Sequence, residues 1–380
     1  MTGTAASAEQ AGLRDRAAFW RAWMLDDALP LWAERGVNPQ GGFYDRLSAE
    51  GRPVLDPMRL RVQARQTFVY AEAARLGWTG DWSRLVAHGQ DFLLSRATLP
   101  SGLVAQRFHL DGSILNGEPD LYDQSFALLG LASAYRALGD DRARRAAYAL
   151  LQALGPYRQP AGGFRELTPE AAVLKANPHM HMLEAALAWA AVDDADVWPD
   201  LVDNLSRLCV QRLIDPRTGA LREFFTGDWR PAPEPLGDCT EPGHHFEWAW
   251  LLSWAGEAYA EVFPRLCERA ETLGVDPIRG VAVNAFSVQG KVLDPAARLW
   301  PQTERLKAAL VMRDLDPSWT ARACQAADSL RLYTRPVGPG LWLDVVEADG
   351  TLRQEASPAS SFYHIACAVC ELVRATGLQS

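Results

Sequence analysis

No run of about 18 consecutive apolar residues occurs in this chain, so no segment is suited to cross a bilayer as a helix. The opening residues, MTGTAASAEQ, carry neither a basic stretch nor an apolar core. A secretory signal is therefore not expected, and residues 1–12 are expected as a flexible tail. Excess positive charge is also missing: 38 Lys and Arg stand against 47 Asp and Glu, a formal net charge of −9. Such a balance argues against nucleic acid or an anionic membrane as partner, and a cytoplasmic location is expected.

Cysteine is sparse and scattered, at six positions. Cys367 and Cys370 form C-x-x-C, but inside the apolar run HIACAVCELV and without a strand–helix–strand context, so small core residues are expected there. No H-E-x-x-H, P-loop, G-x-G-x-x-G or G-x-S-x-G occurs. His179 and His181 form H-x-H, yet helical neighbours two apart point to different faces. No metal and no cofactor are expected. Low-complexity linkers are absent too, which suggests one domain over residues 1–380.

What the chain does have is a period. A glycine-centred turn returns about every 60 residues, at Gly42, Gly102, Gly163, Gly219, Gly280 and Gly340. A fixed period implies one architectural unit used repeatedly. Between turns the apolar spacing twice fits a helix. The expected helices are 14–36 and 61–76, 82–96 and 121–138, 142–154 and 179–191, 196–213 and 245–261, 262–273 and 302–313, 318–331 and 360–375. The second of each pair is apolar all round, as in FEWAWLLSWAGEAYA, and the first is striped, as in RARRAAYALLQ. Buried and half-buried helices read that way. The expected fold is all-α, an (α/α)6 barrel of twelve helices with short β-hairpins in the outer-to-inner connections. The first and last repeats are as apolar as the middle ones, which favours a closed ring over a capped solenoid.

About 20 residues after each glycine, an inner helix opens with polar or reactive side chains. Pro178, Pro242, Pro301 and Pro358 mark these starts. Candidate groups are therefore expected at helix N-termini, whose partial positive field favours neutral imidazole. His244 and Glu247 share a helix face, so Glu247 is expected to orient His244; His181 and Glu184 repeat the spacing. His364 lies at matching phase in the sixth repeat, with Tyr363 before it. Two bases facing each other across a bound molecule can move a proton next to a carbonyl. Arg65, Asn177, Gln302, Glu304, Asp123 and Tyr44 are candidate hydrogen-bond partners for a polyhydroxylated substrate. Arg59 and Arg61 read equally well as substrate contacts or ion-pair partners, and His88 and His109 as surface or loop residues. Gln106–Pro119 is a candidate lid. The fourteen tryptophans suit either core packing or the C–H faces of a sugar.

The segments GGFYDRL, RVQARQTFVYA, DLYDQSFALL, NPHMHMLEA, EPGHHFEWAWLL, RLWPQTERLKAA and FYHI resemble the N-acylglucosamine 2-epimerase superfamily over nearly the whole chain. The resemblance implies cofactor-independent sugar chemistry through a cis-enediol. It implies His244 and His364 as acid/bases, Glu247 as the carboxylate beside His244, and Arg65 at the enediolate oxygen. It also implies His181, Asn177, Trp300 and Gln302 as sugar contacts. The expected reaction is interconversion of D-mannose and D-fructose, with D-lyxose and D-xylulose as a further pair, by a monomer or homodimer acting on a free monosaccharide. A 2-epimerase on the same scaffold is the alternative. An inverting glycoside hydrolase would need two opposed carboxylates drawn from Asp123, Glu247 and Glu304, and a sugar-binding scaffold leaves the polar ring unexplained.

Overall fold

The structure is a computed structural model, which describes residues 2–168 and 173–378. Its long helices are α1 (Thr2–Ala22), α2 (Leu60–Arg75), α3 (Trp82–Ser95), α4 (Leu121–Leu138), α5 (Asp141–Leu154) and α6 (Ala176–Ala190). They continue with α7 (Val197–Leu208), α8 (Pro242–Ala255), α9 (Phe263–Gly274), α10 (Leu299–Leu315), α11 (Trp319–Ser329) and α12 (Ala359–Thr376). Each even-numbered helix packs on the even-numbered helices on either side, and α12 packs back on α2. The odd-numbered helices lie outside them, α1 closing the outer layer between α11 and α12. The fold is thus an (α/α)6 barrel.

Burial follows the apolar pattern. In α8 every residue from Pro242 to Leu252 is buried. In α5 the buried set is Ala143, Ala147, Leu150, Leu151 and Leu154, a single stripe at helical spacing. Among the described residues no helix is long and apolar enough to cross a membrane. Cys367 is buried in α12 and all six cysteines are free.

Residues 2–12, expected as a tail, belong to α1, whose alanine-rich opening has high helix propensity. The expected helix 14–36 is also interrupted: a π turn at Trp23–Ala28 leads into a short helix, Leu29–Arg35. Pro30 supplies the reason, since it has no N–H to donate and its ring crowds the preceding turn.

The strands differ from simple hairpins. The strand before an inner helix pairs with the strand of the next repeat: Met58–Arg59 with Arg107–Phe108, and Leu174–Lys175 with Phe224–Phe225. Cys239–Thr240 pairs with Ala285–Ser287, and Ala297–Arg298 with Val345–Val346. Ser357–Pro358 then returns to Arg46–Leu47, so the last repeat is stitched to the first. Hairpins within a connection are present as well, for example 107–108 with 114–116. The inter-repeat strands also cap helices. Backbone N–H groups of Leu60, Ala176, Leu299 and Ala359 donate to carbonyls of Gln106, Glu223, Asp344 and Asp45, satisfying donors that a helix start leaves open.

A side chain at or just before the start of each inner helix explains the glycine period. Gln302 accepts the Ala282 N–H at 2.7 Å and donates to its carbonyl at 2.8 Å. Gln63 does the same to Phe43, and Gln124 to Val104. His179 accepts from Phe164 N–H, His245 from Leu221 N–H, and Ser357 bonds both groups of Trp342. The clamped residue lies one or two past the glycine. A Cβ on Gly42 would fall 2.4 Å from Gln63 Oε1, and one on Gly163 2.7 Å from His179, both at positive φ. Gln302→Ala would orphan a buried N–H and C=O, and should cost about 3 kcal/mol of stability, measured by denaturant unfolding. A loss within experimental error would mean the clamp is ornamental.

Candidate active site

A cavity of about 200 Å³ opens at the end of the barrel where the inner helices start. Arg65, Asn177, His181, His244, Glu247, Trp300 and His364 line it, together with Tyr122, Glu241, Arg298, Asp344, Ser360 and Ser361. These come from all six inner helices and the strands before them. Helix phase decides which neighbour reaches inward: Tyr122 rather than Asp123, His244 rather than His245.

His244 and His364 flank the Trp300 indole, their ring centres 5.0 and 5.6 Å from it. Each histidine places Nδ1 on a buried carboxylate. His244 donates to Glu223 Oε2 at 2.8 Å, His364 to Glu304 Oε1 at 2.8 Å, and His181 to Glu184 Oε2 at 3.1 Å. That fixes the proton on Nδ1 and leaves Nε2 for the cavity. Tyr363 in turn donates to the other oxygen of Glu184.

The two flanking histidines differ in charge. Burial disfavours imidazolium at both. At His244 the carboxylates of Glu223 and Glu241 outweigh it and push the pKa to about 9. At His364 burial is joined by the cations Arg65 and Lys307, which hold it well below the ordinary value. His181 is lowered to about 4, chiefly by burial. At neutral pH the cavity therefore offers one imidazolium and two neutral imidazoles.

Glu247 does not orient His244 as its spacing suggested. Both of its oxygens are buried without a hydrogen-bond partner. Burial first, and then the Glu304 carboxylate, push its pKa well above the ordinary carboxylate range. Glu223, immediately before the Phe224–Phe225 strand, takes the expected role, because it approaches from outside the helix. Arg65 donates to the Ser360 carbonyl at 3.2 Å and to Tyr122 Oη at 2.8 Å, and its guanidinium lies 4.1 Å from the Phe126 ring centre. The Asn177 Oδ1 has no partner. Asp344 accepts from Ser361 Oγ at 2.5 Å, and burial raises it to about 6.

Four expected substrate contacts lie off the cavity. Gln302 is spent on its clamp. Asp123 is fully buried against Arg61, Nε to Oδ1 at 3.2 Å, and burial pushes it to about 7. Glu304 stands behind His364, its second oxygen on Lys307. Tyr44 sits in the first turn, its N–H on the Gly36 carbonyl. With Asp123 and Glu304 so engaged, the carboxylates proposed for a hydrolase do not face each other across the cavity. The candidate lid, 106–119, is a paired hairpin that contributes nothing to the cavity lining.

Three groups of ligand-type atoms lie within 4.8 Å of one another: His181, Glu184, Glu247; Glu223, Glu241, His244; and Glu247, Glu304, His364. Each already contains a histidine–carboxylate hydrogen bond, and in the third the Lys307 ammonium holds Glu304. A cation would have to displace those partners.

Sequence reasoning missed Glu223, Tyr122, Asp344, Glu241 and Arg298. A signal existed for two of them. Asp45, Gln106, Glu166, Glu223, Asn284 and Asp344 recur three or four residues after the glycines, polar side chains within short apolar runs.

The chain matches the family model for N-acylglucosamine 2-epimerase over residues 42–368. It is 41% identical over 367 residues to a mannose-6-phosphate isomerase of Rhizobium meliloti (strain 1021), covering 92% of this chain and 95% of that protein. A D-mannose isomerase structure aligns with TM-score 0.83 at 19% identity, over 98% of both chains. A cellobiose 2-epimerase from Spirochaeta thermophila DSM 6192 aligns with TM-score 0.85 at 22% identity, over 96% of this chain and 97% of that one. The glycine-clamped barrel and the histidine-lined cavity at its mouth are those of a sugar-processing enzyme, and the chain belongs to the N-acylglucosamine 2-epimerase family.

Proposed function

We propose that this protein is an aldose–ketose isomerase that interconverts D-mannose and D-fructose by proton transfer through a cis-enediol. The carrying observation is the pair of imidazoles beside Trp300, each with Nδ1 on its own buried carboxylate, one raised and the other lowered in proton affinity by its surroundings. Groups whose environments separate their proton affinities divide into acid and base. Neutral His364, through Nε2, removes the C2 proton of the open-chain aldose, which the adjacent carbonyl acidifies. Imidazolium His244 donates to the developing oxyanion and, earlier, shuttles the proton that opens the ring. Arg65 and the inner-helix N-termini stabilise the enediolate. Return of the C2 proton to C1, with the O2 hydroxyl proton passing to the now neutral His244, gives the ketose and restores both histidines.

The family relationship also supports a second reading, 2-epimerisation, in which a proton returns to the opposite face of C2. The name of the Rhizobium relative supports a phosphorylated substrate. Against the latter, the cavity's cations are already engaged: Arg298 contacts Glu241 at 3.2 Å and Arg65 bonds Tyr122. Asp344 and Glu241 would meet a phosphate with like charge.

The test is NMR of products formed in D2O from mannose, lyxose and mannose 6-phosphate. Fructose deuterated at C1 is the expected product from mannose. Glucose deuterated at C2 would replace the isomerase with an epimerase, and turnover of only the phosphate ester would overturn the free-sugar assignment.

A further inference from the structure

Beneath the cavity lies a charged group that the proposed chemistry does not touch. Lys307 sits one turn after Glu304 on α10, and neither residue has exposed surface. Its Nζ is 2.6 Å from Glu304 Oε2, 3.7 Å from the Trp250 ring centre and 3.7 Å from Cys367 Sγ. Removing an ammonium from water is costly, and an apolar side chain of similar volume would fill the same space. Neutralising nearby carboxylates is the simplest role for it. Two observations give it a more specific one.

First, Glu304 is bidentate in function. Oε2 meets Lys307, while Oε1 accepts the Nδ1–H of His364 at 2.8 Å. Ammonium, carboxylate and imidazole form one line from the barrel interior to the cavity. Second, among the described residues the ammonium makes its short carboxylate contact with Glu304, while Glu247, which approaches the same cluster, makes none. Burial raises Glu304 on balance, and the Lys307 ammonium is the largest influence opposing that rise.

We infer that Lys307 is a positioning residue for the isomerisation: it holds Glu304 as a carboxylate, so that His364 keeps its proton on Nδ1 and presents a bare Nε2 to the sugar. The inference rests on the proposed role of His364 as base. Several other groups bear on His364. Arg65 of α2 and His181 of α6 also oppose its protonation, and Glu184 of α6 favours it. Glu247 reaches it from α8, Tyr363 is its neighbour on α12, and Asp344 lies beyond Ser361. Lys307 differs from these in acting on the carboxylate that fixes the tautomer.

Loss of the ammonium leaves the cluster one positive charge short, and it takes up a proton in compensation. That proton resides on Glu304 or on His364, and in either place the free Nε2 base is lost near neutrality. Lys307→Met should therefore lower kcat/KM for mannose at pH 7 by about 30-fold or more. The acid limb of the pH profile should move up by about one unit or more, with activity recovering as pH rises and KM little changed. Lys307→Met combined with Glu304→Gln restores the charge balance, because the amide oxygen still accepts from Nδ1. The double variant should return the acid limb towards its original position.

Histidine-selective 15N NMR of the same proteins reads the His364 tautomer and titration without requiring turnover. A raised His364 pKa in Lys307→Met supports the inference even if wild type fails to convert mannose, an outcome that would count against the isomerase alone. A folded Lys307→Met protein with an unmoved acid limb and unchanged His364 signals would overturn the inference. If that variant does not fold, Lys307→Arg and the double variant carry the comparison. Equal His364 titration in wild type and the double variant is then expected, and a Lys307→Arg protein lacking the Nδ1–H signal would overturn it.

Discussion

His364→Ala should lower kcat by about 10²–10⁴-fold, the usual worth of a positioned general base. The loss should persist at every pH, because among the described residues no other imidazole lies beside Trp300 except His244, which is held protonated. KM should change little, since Arg65, Asn177 and Arg298 still line the cavity. His244→Ala should give a loss of similar size, with ring opening and oxyanion protonation both impaired. Steady-state kinetics with mannose and fructose, alongside circular dichroism to confirm folding, measure both. Near-normal turnover in the two variants would remove the proposed chemistry altogether.

Glu223→Gln should act through pH. Imidazolium at His244 is sustained to about 9 against burial, with Glu223 the largest of the carboxylates that sustain it. A group raised in this way holds its proton below that value and loses it as pH rises through it. Wild-type kcat/KM should therefore fall on the alkaline side near pH 9, while the acid side lies low because His364 stays neutral. Removing the Glu223 charge brings the His244 titration down, and the alkaline limb should move towards neutrality by about one unit or more. At pH 8 that amounts to a loss of about 10-fold or more. Glu247→Gln should move the alkaline limb less than Glu223→Gln does, because Glu247 is the smaller carboxylate influence on His244. A Glu223 variant with an unshifted profile would assign the acid to another group.

The contrast between Glu223 and Glu247 shows what was legible in the sequence. The barrel was readable because it is local: helical spacing, the glycine turns and the prolines at helix starts all lie within one repeat. Residues that reach the cavity from a helix start were readable for the same reason, as with His181, His244 and His364. The supporting carboxylates were not. Glu247 has the right spacing for His244, but spacing on a helix fixes only a face, and the carboxyl turns towards the barrel interior. Glu223 arrives from just before a strand, 21 residues earlier, and although it recurs at a nearly fixed distance from its glycine, no helical spacing reports its contact with His244. Gln302 and Asp123 were misread differently. A polar residue at a helix start was assumed to face substrate, whereas buried backbone and buried arginine also demand polar partners. Gln302 and Asp123 are consumed by that demand.

The stitch between Arg46–Leu47 and Ser357–Pro358 has a consequence for biosynthesis. It joins the first repeat to the sixth. While the ribosome is still producing the intervening repeats, the Arg46–Leu47 backbone edge has no complement and stays available to any other extended chain. His364, too, arrives only with that closing segment. Truncated products would accordingly be inactive and sticky together, and a holding chaperone would be needed longest at the amino-terminal rim.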